Sequence, residues 1–258
     1  MTKSKLEVVI LGSGTSQGVP VVGCTCTVCG SSNPCDKRLR SSILVRNNET
    51  TIVIDAGPDF RQQMLREKAR KLDAVLITHN HKDHTGGLDD VRAFNWIQKK
   101  PMDIYARNSV LNAVRNEYSY AFAENKYPGV PDMNLFEIDG KPLTIGTMKL
   151  LPIDAMHHQM PVYGFRINDF SYLTDANHIE QKELDKMKGS KVIIINALRK
   201  EKHISHFNLE EAIDIIRYIN PEKAYITHIS HQMGLHRDIE KELPDHIYLA
   251  CDGARVIK

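Results

Sequence analysis

Three histidines and an aspartate lie within six residues of one another, directly after an apolar stretch that we predict to be a strand. They are His79, His81, Asp83 and His84. His79 and His81 are two residues apart, so on an extended backbone their side chains point to the same side. Imidazoles and carboxylates are ligands that suit zinc, manganese or iron. Because buried imidazoles need partners, this spacing predicts a metal site rather than a solvated polar loop.

A second cluster, nearer the amino terminus, contains three cysteines in C-x-C-x-x-C spacing: Cys24, Cys26 and Cys29. Such thiols can hold a structural zinc if a fourth ligand comes from elsewhere in the chain. Unliganded thiols and a labile disulfide are the alternatives. We therefore expect a zinc-binding loop at about residues 20–36. Cys35 receives no role, and Cys251, in a late apolar stretch, is expected to be a core residue.

Length and charge limit the classes of protein that fit. The chain has 258 residues, 41% of them hydrophobic, and a net charge of 34 − 32 = +2. The small net charge argues against a broad electrostatic surface for nucleic acid or membrane. Because neither a secretory signal nor a long apolar span is evident, we expect a cytoplasmic protein without a membrane partner. Evenly distributed glycine and proline favour one domain over residues 1–258.

The elements that must position these clusters are mainly strands. Two helices are predicted, Asp59–Arg70 and Asn208–Tyr218, the second with Asn208 as N-cap and Glu211 completing a capping box. Many strands follow one another without a helix between them, which favours an α+β fold, an αββα sandwich of two sheets packed face to face with helices outside. The predicted strands are Leu6–Leu11, Ser42–Arg46, Thr51–Asp55, Ala74–Thr78, Asp103–Ala106, Met148–Ile153, Tyr163–Ile167, Ser171–Thr174, Lys191–Ile195, Lys223–Thr227 and Ile247–Cys251.

The sequence from His79 to His84 resembles the signature of the metallo-β-lactamase superfamily. Three further segments match that superfamily's motifs: Ile54-Asp55-Ala56-Gly57, Tyr172-Leu173-Thr174-Asp175 and Ile226-Thr227-His228. The resemblance implies an αββα sandwich with a two-metal site at one edge of the sheets. It also implies that Asp55 supports the ligands from behind and that Asp175 bridges the two metals.

One metal ligand is ambiguous because His157 and His158 are adjacent. In the phosphodiesterase-like members the ligand stands six residues before a glycine that opens the next strand. Counting back from Gly164 favours His158. The resemblance then implies metal one bound by His79, His81 and His158, metal two bound by Asp83, His84 and His228, and both bridged by Asp175; the metals would be zinc or manganese.

The segment from Gly12 to Cys29 resembles the amino-terminal signature of a narrower group, the phosphoribosyl cyclic phosphate phosphodiesterases (PhnP-like). In that group the three cysteines bind an accessory zinc together with a histidine that stands three residues after the last active-site ligand. The last such ligand here is His228, so the matching histidine is His231. The resemblance also places His206 at the position of a proton donor. Asp83 and His206 are thus the candidate catalytic side chains; a surface histidine is the alternative for His206.

The resemblance implies a binuclear metal-dependent phosphodiesterase that cleaves a small cyclic phosphate or similar phosphodiester with a metal-bound hydroxide. Two alternatives stay open. One is an RNA-processing phosphodiesterase resembling transfer-RNA 3′-endonucleases, although the low net charge makes a nucleic-acid partner less fitting. The other is a noncatalytic zinc-stabilised binding module. Substrate identity and the formation of a homodimer are left open.

Overall fold

The computed structural model describes residues 6–257 of the chain. In this part of the chain fourteen strands form two seven-stranded sheets. The strands are β1 Glu7–Gly12, β2 Ser42–Arg46, β3 Thr51–Ile54, β4 Ala74–Leu76, β5 Met102–Ala106, β6 Met133–Glu137, β7 Leu143–Ile145, β8 Met148–His157, β9 Met160–Ile167, β10 Phe170–Leu173, β11 Val192–Asn196, β12 Lys223–Thr227, β13 Ile247–Leu249 and β14 Arg255–Ile257.

The strand orders place parallel strands next to the residues predicted to do chemistry. The first sheet runs β14-β1-β2-β3-β4-β5-β6 and the second β13-β12-β11-β10-β9-β8-β7. β2 and β3 form an antiparallel hairpin, whereas β3 to β6 are parallel to one another. In the second sheet β10 to β13 are parallel. Parallel strands end at the same edge of a sheet, so the residues that follow them are brought together.

The two sheets pack face to face, and each carries helices on its outer face. Alternate residues of one strand serve different layers: Val8 and Ile10 of β1 lie between the sheets, whereas Val9 and Leu11 pack under the outer helices. Strands buried on both faces read as unbroken apolar runs, as do Val8–Leu11 of β1 and Val192–Ile195 of β11 in the sequence. The predicted αββα sandwich is confirmed.

Eight short to medium helices accompany the sheets within residues 6–257. They are α1 Thr27–Gly30, α2 Phe60–Arg66, α3 Lys82–Thr85, α4 Arg92–Gln98, α5 Asn108–Glu117, α6 Gln181–Asp185, α7 Leu209–Ile219 and α8 His236–Ile239. Asn208 caps α7 and forms the predicted capping box with Glu211. The first predicted helix ends earlier than expected, at Arg66, because Lys68 takes a left-handed conformation with φ of 50°.

The prediction that Cys251 is a core residue is wrong, and its partner is Cys35, to which the sequence analysis gave no role. Cys35 and Cys251 form a disulfide, with Cα atoms 5.0 Å apart and 216 residues between them in sequence. Cys251 is half-buried beyond the end of β13 rather than part of a core strand. The pairing depends on a tertiary contact, since Leu39 donates its backbone N–H to Asp252 and so holds the cysteine-containing loop against the β13–β14 connection.

Within residues 6–257, no helix is long and apolar enough to cross a bilayer.

Candidate metal centre

The candidate site lies at the edge where the parallel strands end. Asp55 follows β3, His79 follows β4, Asp175 follows β10 and His228 follows β12. Three of these residues adopt a left-handed backbone conformation, with φ of 68° for Asp55, 59° for Asp175 and 56° for His228. Such strain costs on the order of 1–3 kcal/mol per residue and accumulates at functional sites. Three of the four strands, β3, β10 and β12, are thus followed by a sharp turn at a residue of the site.

Gly57 allows the loop after β3 to approach α3, which carries Asp83 and His84. A Cβ atom at Gly57 would lie 1.9 Å from the carbonyl oxygen of Asp83, so only glycine fits there. The neighbouring Ala56 donates its N–H to the carbonyl of His84 at 2.8 Å. The Ile54–Gly57 motif therefore aligns Asp55 with the helix that bears two of the candidate ligands.

The predicted ligands form two groups of converging donor atoms. In the first, one donor atom from each of His79, His81 and His157 lies within 4.8 Å of the others. The second group meets the same criterion and contains Asp83, His84, Asp175 and His228. Asp175, the predicted bridge, meets this criterion with the second group. The other predicted ligands divide as the sequence analysis expected, with one exception.

That exception is His158, which the structure replaces with its neighbour. His157 is 7% exposed and faces the site, whereas His158 is exposed and takes a φ of 56° in the turn between β8 and β9. Alternation along β8 explains this placement, because Ile153, Ala155 and His157 are all buried on one face of the strand. Counting back from Gly164 failed because β8 extends further toward the turn than the sequence predicted.

The carboxylate of Asp175 lies between the two groups. Its Oδ1 is 2.8 Å from Nδ1 of His228, and its Oδ2 is 3.2 Å from Nε2 of His84. The same Oδ2 is 3.7 Å from Nε2 of His79 in the first group. Asp175 is therefore the residue that can contribute an oxygen to both groups.

Hydrogen bonds with Asp55 and Thr78 orient the imidazoles of His84 and His79. Asp55 accepts a hydrogen bond from Nδ1 of His84 at 2.7 Å, which turns Nε2 of His84 toward Asp175. The Thr78 hydroxyl donates to Asp55 and accepts from Nδ1 of His79 at 3.0 Å. Hydrogen bonds of this kind fix the tautomer and ring orientation of metal-binding histidines.

Two more imidazoles are held in the same manner. Nδ1 of His157 donates to the carbonyl oxygen of Ser205 at 2.7 Å, which leaves Nε2 facing the site. Nε2 of His228 lies 3.2 Å from the Thr15 hydroxyl, which leaves Nδ1 facing Asp175. The sequence analysis missed Thr15 and Thr78; the signal for Thr78 was its position directly before His79, and the signal for Thr15 was its place in the Gly12–Cys29 signature.

Unpaired nitrogen atoms test whether this site fits metal ions. Nε2 of His79 and Nδ1 of His228 are buried and have no hydrogen-bonding partner among residues 6–257. Nδ1 of His228 nevertheless lies 2.8 Å from Asp175, so the two groups approach each other without the geometry of a hydrogen bond. Buried polar atoms without partners are rare. Donor atoms that converge on one point instead of on each other fit a bound cation.

The electrostatics of the site agree with this fit. Burial lowers the pKa of His79 well below its usual value, so its imidazole is neutral, the form that binds metals. Burial alone would raise the pKa of Asp175, but His228 and His84 outweigh it and hold that pKa well below the usual value. Asp175 is therefore ionised at neutral pH and available to bind cations.

His206 faces the site but is an extra imidazole beside the two ligand groups. Its Nε2 is 3.5 Å from Oδ2 of Asp175 and has no hydrogen-bonding partner within residues 6–257. Its Nδ1 contacts Ser205 Oγ at 3.0 Å and His203 Nδ1 at 3.2 Å. Burial lowers the pKa of His206 to about 4, against the opposing influence of Asp175. Donor atoms of His157, Asp175 and His206 also lie within 4.8 Å of one another.

The cysteine cluster converges on His231 as the resemblance implies. Nδ1 of His231 is 3.4 Å from Sγ of Cys24, 3.4 Å from Sγ of Cys26 and 3.6 Å from Sγ of Cys29. Tetrahedral zinc with Zn–S of about 2.3 Å and Zn–N of about 2.0 Å separates sulfur from nitrogen by about 3.5 Å. The backbone N–H of Cys29 and the ring of His231 lower the pKa of the Cys26 thiol to about 6, which favours the thiolate that binds metal. These four residues therefore fit a structural zinc.

Comparison with known proteins identifies relatives of this chain. A family model for the beta-lactamase superfamily domain matches residues 50–229. An octanoyltransferase of Porphyromonas gingivalis is 40% identical over 255 residues, which cover 98% of this chain and 51% of that protein. Coenzyme PQQ synthesis protein B of Methylobacterium nodulans is 30% identical over 123 residues, 42% of this chain and 40% of that protein. The chain thus spans about half the length, or less, of these curated relatives.

Solved structures share the fold along nearly the whole chain. A diphosphatase from the PhnP family superposes with a TM-score of 0.91 at 34% identity, covering 98% of this chain and 97% of that one. Zinc-bound PqqB from Methylobacterium extorquens superposes with a TM-score of 0.77 at 19% identity, covering 97% and 99%. The short form of human tRNase Z has a TM-score of 0.69 at 16% identity, covering 97% and 98%. The last two likenesses concern the fold alone.

Proposed function

Because the protein belongs to the metallo-β-lactamase superfamily of hydrolases, we propose that it is a binuclear metal-dependent phosphodiesterase that cleaves a small cyclic phosphate or a similar phosphodiester. The observation that carries the proposal is the position of Asp175. Its Oδ1 lies 2.8 Å from His228 of the second group, and its Oδ2 lies 3.2 Å from His84 of that group and 3.7 Å from His79 of the first. A bridging carboxylate of this kind suits a pair of metals about 3.5–4 Å apart, the spacing found in two-metal phosphoesterase sites.

In this proposal, one set of residues holds the metals and a second set orients the imidazoles of the first. Two divalent metals, zinc or manganese, held by the two groups would supply a nucleophile at neutral pH and polarise the phosphoryl oxygens. Asp55, Thr78, Thr15 and the carbonyl of Ser205 hold the imidazoles so that one nitrogen of each faces the site. Because these hydrogen bonds already orient the rings, the ligands need little reorganisation during the reaction.

His206 is the proton donor in this proposal. Its Nε2 faces the site, and its Nδ1 is held by Ser205 and His203. The free site favours a neutral ring, since burial lowers the pKa of His206 to about 4. The negative charge of a bound phosphodiester opposes that shift and favours the imidazolium. A protonated His206 could then transfer its proton to the leaving alkoxide.

Diphosphates are a second candidate class of substrate. The observation that favours them is the 34% identical PhnP-family structure, which is described as a diphosphatase. Cleavage of a phosphoanhydride also requires charge neutralisation at phosphorus, but its leaving group is a phosphate that needs less protonation than an alkoxide. Dependence on His206 should therefore be weaker for diphosphates than for alkyl phosphodiesters.

The test is an activity screen combined with metal analysis of the same sample. The substrates are ribosyl cyclic phosphates, linear alkyl phosphodiesters, diphosphates, short RNA and the chromogenic bis(p-nitrophenyl) phosphate, each with Zn²⁺ or Mn²⁺ added. The proposal expects turnover of the cyclic or linear diesters by protein that holds two active-site metals. Faster cleavage of diphosphates or of RNA than of the small phosphodiesters would show that the proposed substrate class is wrong. Absence of turnover with every metal would favour the noncatalytic binding module.

A further inference from the structure

Asn196 occupies a central position behind the metal centre. It is the last residue of β11, which pairs with β10 on one side and β12 on the other. Asn196 lies opposite Thr227, the residue before His228. Its side chain is fully buried, with 0% exposure. A buried carboxamide must find partners for both its donor and its acceptor.

Both partners belong to the residue that follows the bridging aspartate. Oδ1 of Asn196 accepts a hydrogen bond from the N–H of Ala176 at 2.9 Å, and Nδ2 donates to the carbonyl of Ala176 at 2.9 Å. The two bonds hold the peptide groups on either side of Ala176. The first of these peptides is shared with Asp175, whose φ of 59° is unfavourable for a residue with a side chain. Asn196 thus stabilises the turn that directs Asp175.

The same contact extends to the proposed proton donor. The carbonyl of Ala176 also accepts a hydrogen bond from the N–H of Phe207 at 2.8 Å. Phe207 directly follows His206, and Leu198 donates its N–H to the carbonyl of Phe207 at 3.0 Å. One peptide group therefore joins Asn196, the turn at Asp175 and the segment that carries His206.

We infer that Asn196 is a positioning residue of the metal centre: its carboxamide holds the Asp175 carboxylate between the two donor groups and fastens the His206 segment to the same turn. This inference rests on the metal site of the proposed function. A carboxamide supplies a separate acceptor for the Ala176 N–H and a separate donor for the Ala176 carbonyl. An ionised aspartate would accept at both oxygens and repel the Ala176 carbonyl, whereas alanine would leave the N–H and the carbonyl short of a buried partner.

The experiment measures Co²⁺ binding by metal-free wild type and by Asn196→Asp, together with the visible spectrum of the bound cobalt. Asn208→Ala is the matched control, because Asn208 is also a buried asparagine and lies two residues after His206, but it caps α7 and bonds to Glu211. We expect Asn196→Asp to weaken Co²⁺ binding about 10- to 100-fold and to change the spectrum. Asn208→Ala should lower the unfolding temperature without changing cobalt affinity.

Kinetics at saturating metal give a second measurement. Displacement of Asp175 should lower kcat of Asn196→Asp with little change in KM, since substrate contacts remain. If Asn196→Asp does not fold, Asn196→Thr, which supplies one hydroxyl in place of the carboxamide, is titrated instead. A folded variant with wild-type cobalt affinity, spectrum and kcat overturns the inference and leaves the proposed function intact. A wild type that takes up no cobalt at the active site overturns the proposed function and the inference with it.

Discussion

The Asp175 carboxylate lies within 3.7 Å of ring nitrogens from four histidines, His79, His84, His206 and His228. It is 2% exposed. Removing one charge from a buried ionic cluster leaves its partners uncompensated, and such changes are costly. At the scale of single residues, Asp175 is therefore the position where one substitution affects most of the site.

Asp175→Ala should lose part of both active-site metals and more than about 100-fold in turnover. Substituting a residue that hydrogen-bonds to a metal ligand typically lowers metal affinity or activity about 10- to 100-fold, and loss of a ligand itself should cost more. Metal content by elemental analysis and turnover of bis(p-nitrophenyl) phosphate check this. Asp214→Ala, on the exposed face of α7, is the control and should behave as wild type. Full activity of Asp175→Ala at unchanged metal content would contradict the assignment.

The adjacent histidines His157 and His158 should respond differently to substitution. His157→Asn should lose metal from the first donor group, since its Nε2 is held toward the site by the bond from Nδ1 to Ser205. His158→Asn should keep its metals, because the side chain is exposed and asparagine tolerates the left-handed backbone there. Elemental analysis of both variants decides between them; loss of metal only in the His158 variant would restore the choice made from the sequence.

His206→Ala separates proton transfer from metal binding. It should retain both metals, lose about 10²- to 10⁴-fold on an alkyl phosphodiester and lose much less on a nitrophenyl ester, whose leaving group needs little protonation. Turnover of both substrates is measured on one preparation, and the loss on the alkyl phosphodiester is compared with the loss on the nitrophenyl ester. Equal losses on both would assign His206 to phosphate stabilisation, and loss of metal would place it among the ligands with His157 and Asp175.

At the scale of elements, the loop at residues 20–36 is joined to the segment after β12. His231 lies three residues beyond His228, and the loop's cysteines converge on it. The apolar support for this contact is small: Val19 and Val28 are buried beside Cys29, and Leu235 packs against them. Because so few apolar groups are buried, a bound metal would have to supply much of the loop's stability.

Cys26→Ser should therefore lower the unfolding temperature more than it lowers kcat. The substitution removes one thiolate ligand but leaves the residues around Asp175 in place. Thermal unfolding, kinetics and zinc content are measured on one preparation, with Thr25→Ser, an exposed neighbour, as control. If elemental analysis finds no third metal in wild-type protein purified without chelator, these thiols are unliganded.

At the scale of the whole molecule, the disulfide joins two distant parts of the chain. Cys35 belongs to the cysteine-containing loop, and Cys251 to the connection between β13 and β14. Arg38 reinforces this contact: it is 4% exposed and donates to Ser13 Oγ at 2.8 Å and to the carbonyl of Ala250. A covalent link across 216 residues reduces the entropy of the unfolded chain.

Cys251→Ser should lower the free energy of unfolding by about 2–4 kcal/mol under oxidising conditions. Urea unfolding with and without reductant measures the loss. Reductant should bring wild type to the midpoint of the variant and leave the variant's own midpoint unchanged. A wild type insensitive to reductant, in which thiol titration of the unfolded protein gives five free thiols instead of three, would show that Cys35 and Cys251 are not bonded.

The sequence alone determined the fold class and most of the candidate ligands. Unbroken apolar runs such as Val192–Ile195 indicate strands buried on both faces. His79, His81, Asp83 and His84 are close in space because they are close in sequence. Asp175 and His228 were found because short motifs mark them. Strands β6, β7 and β14 were missed, since they are short or half-exposed and their pairing rather than their composition keeps them extended.

Only the tertiary structure decided which of two neighbouring histidines faces the site, because the length of β8 depends on its pairing with β9. It also decided the bond between Cys35 and Cys251 and the supports given by Thr15, Thr78 and Asn196. These contacts join residues on different strands, mostly far apart in the chain, and the residue types involved are common ones. Spacing along the sequence identifies a ligand set, whereas the hydrogen bonds that orient its members exist only once the strand ends have been brought together.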